Sequence, residues 1–364
     1  MHQAHVRFVD SAKSNFFSVL RSRVDEYFKN ENITKYGNAT MVTKTIVLAL
    51  CYLGSFALII SLPMPSVLYY TLWSIMGFGL AGIGMSVMHD ANHGSYSSNP
   101  KLNTLLGYSI NLIGGSVFNW KLQHNVRHHA YTNIANYDDD INDKLVIRLS
   151  PHTEVKWFHR YQQYYSFVFY GMLTIYWTFM KDFYQFYEYI AKGVNKNSFT
   201  ENAIILGRII LAKLFYGFFF IFAPIYFLHI PTDLFFKGYF LMHFIAGFVL
   251  TITFQLAHTV EHTTHPTPNE AGVIDNNWAI HQLNTTVDFS PNNKFLTWYM
   301  GGLNFQVEHH LFPNICHVHY PAIAKIVEST AKEYDVPYLI NKTLFQAVAS
   351  HYRLLEELGM PKKA

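Results

Sequence analysis

The chain has 364 residues, of which 50% are hydrophobic, 17% aromatic and only 14% charged, with a formal net charge of +3. A soluble domain carries roughly 25% charged residues, so the deficit, filled by 31 Phe and 25 Tyr, points to lipid or a very apolar ligand, and with no basic block no nucleic-acid partner is expected. Two cysteines, Cys51 and Cys316, are too few for a disulfide framework, an iron–sulfur cluster or a Cys-type zinc site, whereas 20 histidines invite an imidazole-rich metal site.

Residues 1–40 form a polar segment with Arg7, Lys13, Arg21, Arg23, Lys29 and Lys35. It has no short apolar core before a small-residue cleavage site, so it reads as a cytoplasmic N-terminal segment and not as a signal peptide. A helix that crosses a ~30 Å hydrocarbon core needs about 20 apolar residues. The sequence predicts four such helices, at about 41–62, 67–88, 204–228 and 234–256. Pro63 and Pro65 separate the first two and Pro231 the last two, which gives two hairpins with short outer turns. The turns 63–66 and 229–233 contain no Lys or Arg. The positive-inside rule then places both termini and the long middle segment in the cytoplasm.

Between the hairpins, Leu102–Phe118 and Tyr164–Met180 are apolar but interrupted by polar or tyrosine residues, and both read as interfacial or re-entrant helices. If only one of them spanned, the histidine clusters would fall on opposite sides of the membrane. Gly77-Phe-Gly79-Leu-Ala-Gly82 matches a dinucleotide-binding pattern, but no strand precedes it and it lies inside an apolar helix. Small residues at that spacing let membrane helices approach closely. Residues 322–364 read as a cytoplasmic, amphipathic helical tail.

Chemistry is concentrated in the histidines. His89 and His93 stand four apart at the end of the second apolar helix and so share a helical face. His124 and His128 do the same, with His129 on a neighbouring face. Protonated His124, Arg127 and His128 would repel one another, and a metal resolves that by requiring neutral rings. His309 and His310 follow Gln306 and Glu308 and are stopped by Pro313. At the end of the fourth helix either His258 or His262 could join them, and His258 is favoured because it lies nearer the membrane boundary. His265, His281, His317 and His319 read as structural histidines or as partners of ligands. The resulting set of His89, His93, His124, His128, His129, His258, His309 and His310 exceeds what one metal needs and suits two. No catalytic residue separate from these ligands is expected. Imidazole suits iron, copper, nickel and zinc alike. Ligating rings give their other N–H to a carboxylate or carbonyl. The candidates for that role, or for supporting the boxes, are Asp90, Asn92, Asn125, Asp140, Glu261, Asn304, Gln306 and Glu308.

The three boxes His89–His93, His124–His129 and Gln306–His310 resemble those of the membrane fatty-acid desaturases. So do the flanking runs His128-His129-Ala-Tyr-Thr132-Asn133, Trp278-Ala-Ile-His281-Gln282-Leu-Asn-Thr285-Thr286 and Gly301-Gly302-Leu-Asn304-Phe-Gln306. The resemblance covers nearly the whole chain. Glutamine at Gln306, where many members have histidine, is similar to the front-end branch, which inserts a double bond between an existing one and the carboxyl end. The resemblance implies an all-α integral-membrane fold, with four transmembrane helices in two hairpins under a cytoplasmic helical cap that holds a histidine-rich di-iron site. It implies residues 41–321 as the desaturase domain, two iron ions, O2 as co-substrate and an acyl-CoA or acyl-lipid substrate. No His-Pro-Gly-Gly haem motif of a fused cytochrome b5 occurs. Electrons are therefore expected from an external carrier, a ferredoxin or a cytochrome b5, and a bacterial inner membrane is the expected location. Trp278, Gln282 and Thr286, with aromatics in 161–189, are candidate walls of the acyl tunnel. The rival readings are a di-iron lipid hydroxylase or ketolase, a metal transporter, whose ligands would lie near the midplane, and a membrane zinc hydrolase, which would leave most of the histidines unused.

Overall fold

The structure, a computed structural model, describes residues 6–9, 15–141 and 146–361. The rest of the expected N-terminal segment, Lys13 included, and the last three residues of the tail lie outside the described residues. Among the described residues four helices are long and apolar enough to cross a membrane: Ala39–Ser61, Ser66–His93, Phe199–Tyr226 and Thr232–His258. The chain is an integral membrane protein.

The second and fourth helices run five and two residues beyond their expected ends, because hydropathy marks where apolarity stops and not where the helix stops. Ser66–His93 ends only at Gly94, which takes the left-handed conformation (φ 74°) that terminates helices. Its 28 residues span about 42 Å, more than the ~30 Å hydrocarbon core. The first histidine box is therefore part of the spanning helix itself, as is His258 at the end of the fourth.

These two helices pack along each other and form the buried centre, while the first and third present most of their surface outward. Lipid is as apolar as leucine, so close fit rather than hydrophobic transfer holds such helices together. A Cβ at Gly77 would stand 2.7 Å from the Met242 carbonyl of the fourth helix, and one at Gly79 would stand 2.8 Å from the Tyr52 nitrogen of the first. The glycine pattern is thus a three-helix crossing and not a nucleotide loop. Trp73 fills the space beside it, edge-on to Phe235.

The two ambiguous stretches are broken helices. Pro100–Gly107 and Ser109–Leu112 share the first, and Gln162–Tyr170 with Leu173–Tyr176 share the second. Thr174 donates to the His243 carbonyl at 2.8 Å, midway along the fourth helix and about 22 Å from His258. The second stretch therefore enters to mid-helix depth. The Lys213 ammonium of the third helix pins its return, with Asp182 at 2.6 Å and the Trp177 carbonyl at 2.7 Å.

Beyond the helix ends, short helices, including Trp278–Thr285, Gln306–Leu311 and Tyr320–Glu333, build a cap with its own apolar core of Phe16, Leu20, Leu283, Val307, Ile323 and Val327. Two small parallel pairings tie distant segments into it: Arg7–Phe8 with Val273–Ile274, and Asp288–Phe289 with Ile340–Asn341.

Candidate metal centre

The second box lies on a helix that opens at Val117–Trp120 and widens to π-helical winding over Lys121–His128. The His129 amide bonds back five residues to the His124 carbonyl. The i→i+5 bonds of that winding widen the turn, so that residues four and five apart both lie near one face. His129 therefore does not point to a neighbouring face, as an α-helical reading implies. Its Nε2 comes within 3.2 Å of His124 Nε2. His89, on ordinary α-helix, brings its own Nε2 to 3.2 Å from the same atom.

Ligand atoms from separate boxes converge in three groups: His89, His93, His124 and His309; His128, His258 and His310; and His129 with His309 and His310. The His129 ring bridges them, 4.9 Å from His93, 4.6 Å from His309 and 4.4 Å from His310. Two nitrogens bound at about 2.1 Å to one ion stand roughly 3.0–3.4 Å apart, which matches the closest pairs.

The rings are held from outside. His128 Nδ1 donates to Asp138 at 3.1 Å, with Asp140 at 3.3 Å. His310 Nδ1 donates to Gln282 Oε1 at 2.8 Å, and Gln282 Nε2 donates to the His129 carbonyl at 3.0 Å. Thr132 Oγ1 lies 2.8 Å from the same Gln282 oxygen. His258 Nδ1 donates to the Thr285 carbonyl at 3.2 Å, and His309 Nδ1 lies 3.2 Å from the Tyr320 hydroxyl. Nε2 of His128, His309 and His310 is thereby left to face the cluster, while that of His258 meets Gln306. Nε2 of His93, His128, His309 and His310 is buried with no hydrogen-bond partner. Such orphaned polar atoms are costly, and metal coordination would satisfy them. Burial first, and then the neighbouring imidazoles, holds His124, His129, His309 and His310 well below the ordinary histidine range. That shift favours the neutral ring, the form a metal binds. Burial also opposes charge on His128, but Asp138 and Asp140 outweigh it and raise that ring's pKa.

Several expected residues stand elsewhere. His262 is exposed in a left-handed turn (φ 74°), away from the rings that His258 joins. Glu261 faces outward, bound to Arg353 at 2.6 Å. Glu308 turns away from its neighbours His309 and His310 to Tyr338 at 2.9 Å. Burial and the adjacent Asp288 raise the Glu308 pKa well above the carboxylate range. Asn304 holds the Phe289 carbonyl at 3.1 Å. Asn92 donates to the Gly107 carbonyl at 3.2 Å and Asn125 to the Asn92 carbonyl at 3.1 Å, so they brace the first box without touching a ring nitrogen. Gln306 does meet a ring, His258 Nε2 at 3.0 Å. Asp90 has one oxygen 3.6 Å from His89 Nδ1.

Of the expected tunnel walls, Gln282 is buried and occupied by His310 and His129, and Thr286 donates back to the Gln282 carbonyl at 2.6 Å. Trp278 donates to the His129 carbonyl at 3.3 Å and packs edge-on against Phe17. Gln282 and Trp278 thus contact the second box directly, and Thr286 reaches it only through Gln282. Sequence reasoning gives Thr132 and Tyr320 no role, and reads the acidic run 138–140 as either partners of the ligands or a solvated loop, singling out Asp140 rather than Asp138. The acidic run after the second box was a usable signal for Asp138, but nothing in spacing says which of three aspartates meets the ring.

Neither cysteine approaches the main cluster, Cys316 lying instead beside Asp90 and His317. The variant Cys51→Ser is therefore expected to keep wild-type activity and metal content, checked by turnover and metal analysis of the purified protein.

Residues 65–341 match the family described as Fatty acid desaturase. The chain is 37% identical to an acyl-lipid (8-3)-desaturase of Physcomitrium patens, over 98% of this chain and 74% of that protein. It is 36% identical to an sn-1 linoleoyl-lipid 6-desaturase of Synechocystis sp., over 95% of this chain and 96% of that protein. It is 32% identical to the Delta(5) fatty acid desaturase A of Dictyostelium discoideum, over 98% and 77% respectively.

Proposed function

This chain belongs to the fatty acid desaturase family, and from that premise we propose that its histidine cluster holds two iron ions and desaturates a lipid-linked acyl chain at the front end. The observation that carries the reading is the set of buried Nε2 atoms without partners, contributed by all three boxes and facing one another while the outer nitrogens of several rings are fixed. Imidazole donors accept iron, and the family brings it. His89, His93, His124 and His309 would hold one ion, and His128, His258 and His310 the other, with His129 between them.

A pair of irons there would supply the oxidising power to dehydrogenate unactivated methylenes, drawing on O2 and two electrons from an external one-electron carrier of the ferredoxin or cytochrome b5 class. The balance is one O2, two electrons and two protons in, two hydrogens lost from adjacent CH2 groups, and two waters out. The protein's part is mechanical and electrostatic. The second and fourth spanning helices carry His89, His93 and His258 to the rim of the bilayer, with both termini in the cytoplasm. Gln282 locks the second and third boxes to each other, so that the ligands are arranged before any substrate arrives. The names of two relatives carry the word lipid, which favours a glycerolipid-bound chain over a thioester.

Expression in a host lacking the activity, fed defined unsaturated fatty acids, tests this. The expected product is two hydrogens lighter, with a new cis double bond on the carboxyl side of an existing one, located by gas chromatography with mass spectrometry. A gain of oxygen would make the protein a hydroxylase or ketolase instead.

A further inference from the structure

Lys44 lies in the second turn of the first spanning helix and is 1% exposed. A buried ammonium is costly unless it is paired. Among the described residues no carboxylate is hydrogen-bonded to it. Its Nζ lies 2.5 Å from His317 Nε2 and 5.5 Å from the centre of the Trp298 ring.

That contact carries information, because an ammonium has three donors and no acceptor. His317 Nε2 must accept, so the ring proton of His317 sits on Nδ1. That Nδ1 donates to Asp90 Oδ2 at 2.8 Å, and the His317 backbone amide reaches the same oxygen at 3.2 Å. Asp90 Oδ2 is thereby occupied. Its other oxygen, Oδ1, is turned to His89 Nδ1, 3.6 Å away and otherwise without a partner. A carboxylate there favours the tautomer of His89 with its proton on Nδ1. The lone pair is then on Nε2, the atom that faces His124.

We propose that Lys44 is a positioning residue of the metal centre, which acts through His317 and Asp90 to fix the tautomer of His89 and present its Nε2 to one of the two irons. The proposal rests on the reading of His89 as an iron ligand. Asp90, Cys316 and His317 could by themselves form a cation site, and the Lys44 ammonium supplies the positive charge there in place of a metal. The role is remote from the boxes in sequence: Lys44 and His317 are 273 positions apart, and His317 and Asp90 are 227 apart.

The test is iron retention by the full-length, iron-loaded protein in detergent, titrated with a chromogenic chelator, with the Mössbauer spectrum recorded on the same samples. Lys44→Met is expected to release one iron of the pair at about tenfold lower chelator concentration, the loss typical of a second-layer partner. The other iron keeps its wild-type retention and spectrum. Lys44→Arg retains both. Adding Lys44→Met to Asp90→Ala changes nothing beyond Asp90→Ala alone, because the two residues act in series. If Lys44→Met does not accumulate, Lys44→Gln, which has no charge, takes its place and is expected to lose the same iron. Wild-type retention in the uncharged variants, equal loss of both irons, or losses that add to Asp90→Ala would each overturn the proposal. An active wild type without iron would overturn the ligand reading as well.

Discussion

Replacement of His309 by alanine is expected to leave a folded membrane protein with less than about 1% of wild-type desaturase activity and a reduced iron content. His309 belongs to two of the three converging groups, one with His89, His93 and His124 and one with His129 and His310, so its loss degrades the environment of both metals. Loss of a residue that merely orients a ligand already costs roughly 10- to 100-fold in affinity or activity, and loss of the ligand itself exceeds that. The fold should tolerate the change. In the metal-free protein His309 Nε2 is a buried polar atom with no partner. Removing the ring leaves a cavity but also removes an unsatisfied group. Thermal unfolding in detergent without metal should therefore move little, while activity and iron fall together. A His309→Ala protein with wild-type activity would remove His309 from the ligand set.

Asp138→Ala should have the next largest effect, with iron affinity and turnover down by about 10- to 100-fold, equivalent to about 1.4–2.8 kcal/mol. The Asp138 carboxylate accepts a hydrogen bond from His128 Nδ1 and others from the backbone amides of Asn133 at 2.9 Å and Asp140 at 3.0 Å. It thus fixes both the ring and the loop that carries it. With the carboxylate gone, His128 loses the partner that sets its tautomer and strengthens its basicity. Asp138→Asn should not restore function, because an amide nitrogen would oppose one of those three N–H donors. Iron titration of the purified variants decides the matter. Unchanged affinity in Asp138→Ala would mean that the nearby Asp140 alone holds the ring.

Much of this arrangement was legible in the sequence, for reasons specific to each element. Four apolar runs broken by Pro63, Pro65 and Pro231 correspond to the four long helices, because a bilayer-sized run of apolar residues has few other uses. His89 with His93 follows from helix spacing alone. His129 was harder. Only the π-helical winding of 121–128 turns it onto the face of His124, and no hydrophobic period announces that winding. The outer layer was the least legible part. Gln282 meets Thr132 across 150 positions, and Tyr338 meets Glu308 and Asp288 from the tail through contacts that depend on the assembled cap. Glu308 shows the limit of reasoning from adjacency. It is next to His309 in sequence, but on the short helix Gln306–Leu311 its side chain departs to the opposite side.

The central claim is that these imidazoles form a site for two iron ions. Metal analysis of the purified, catalytically active protein, paired with Mössbauer spectroscopy, tests it most directly. Close to two irons per chain are expected, with activity that disappears when they are chelated and recovers when ferrous iron is returned. Full turnover in a preparation with no iron, or with a single zinc in its place, would contradict it.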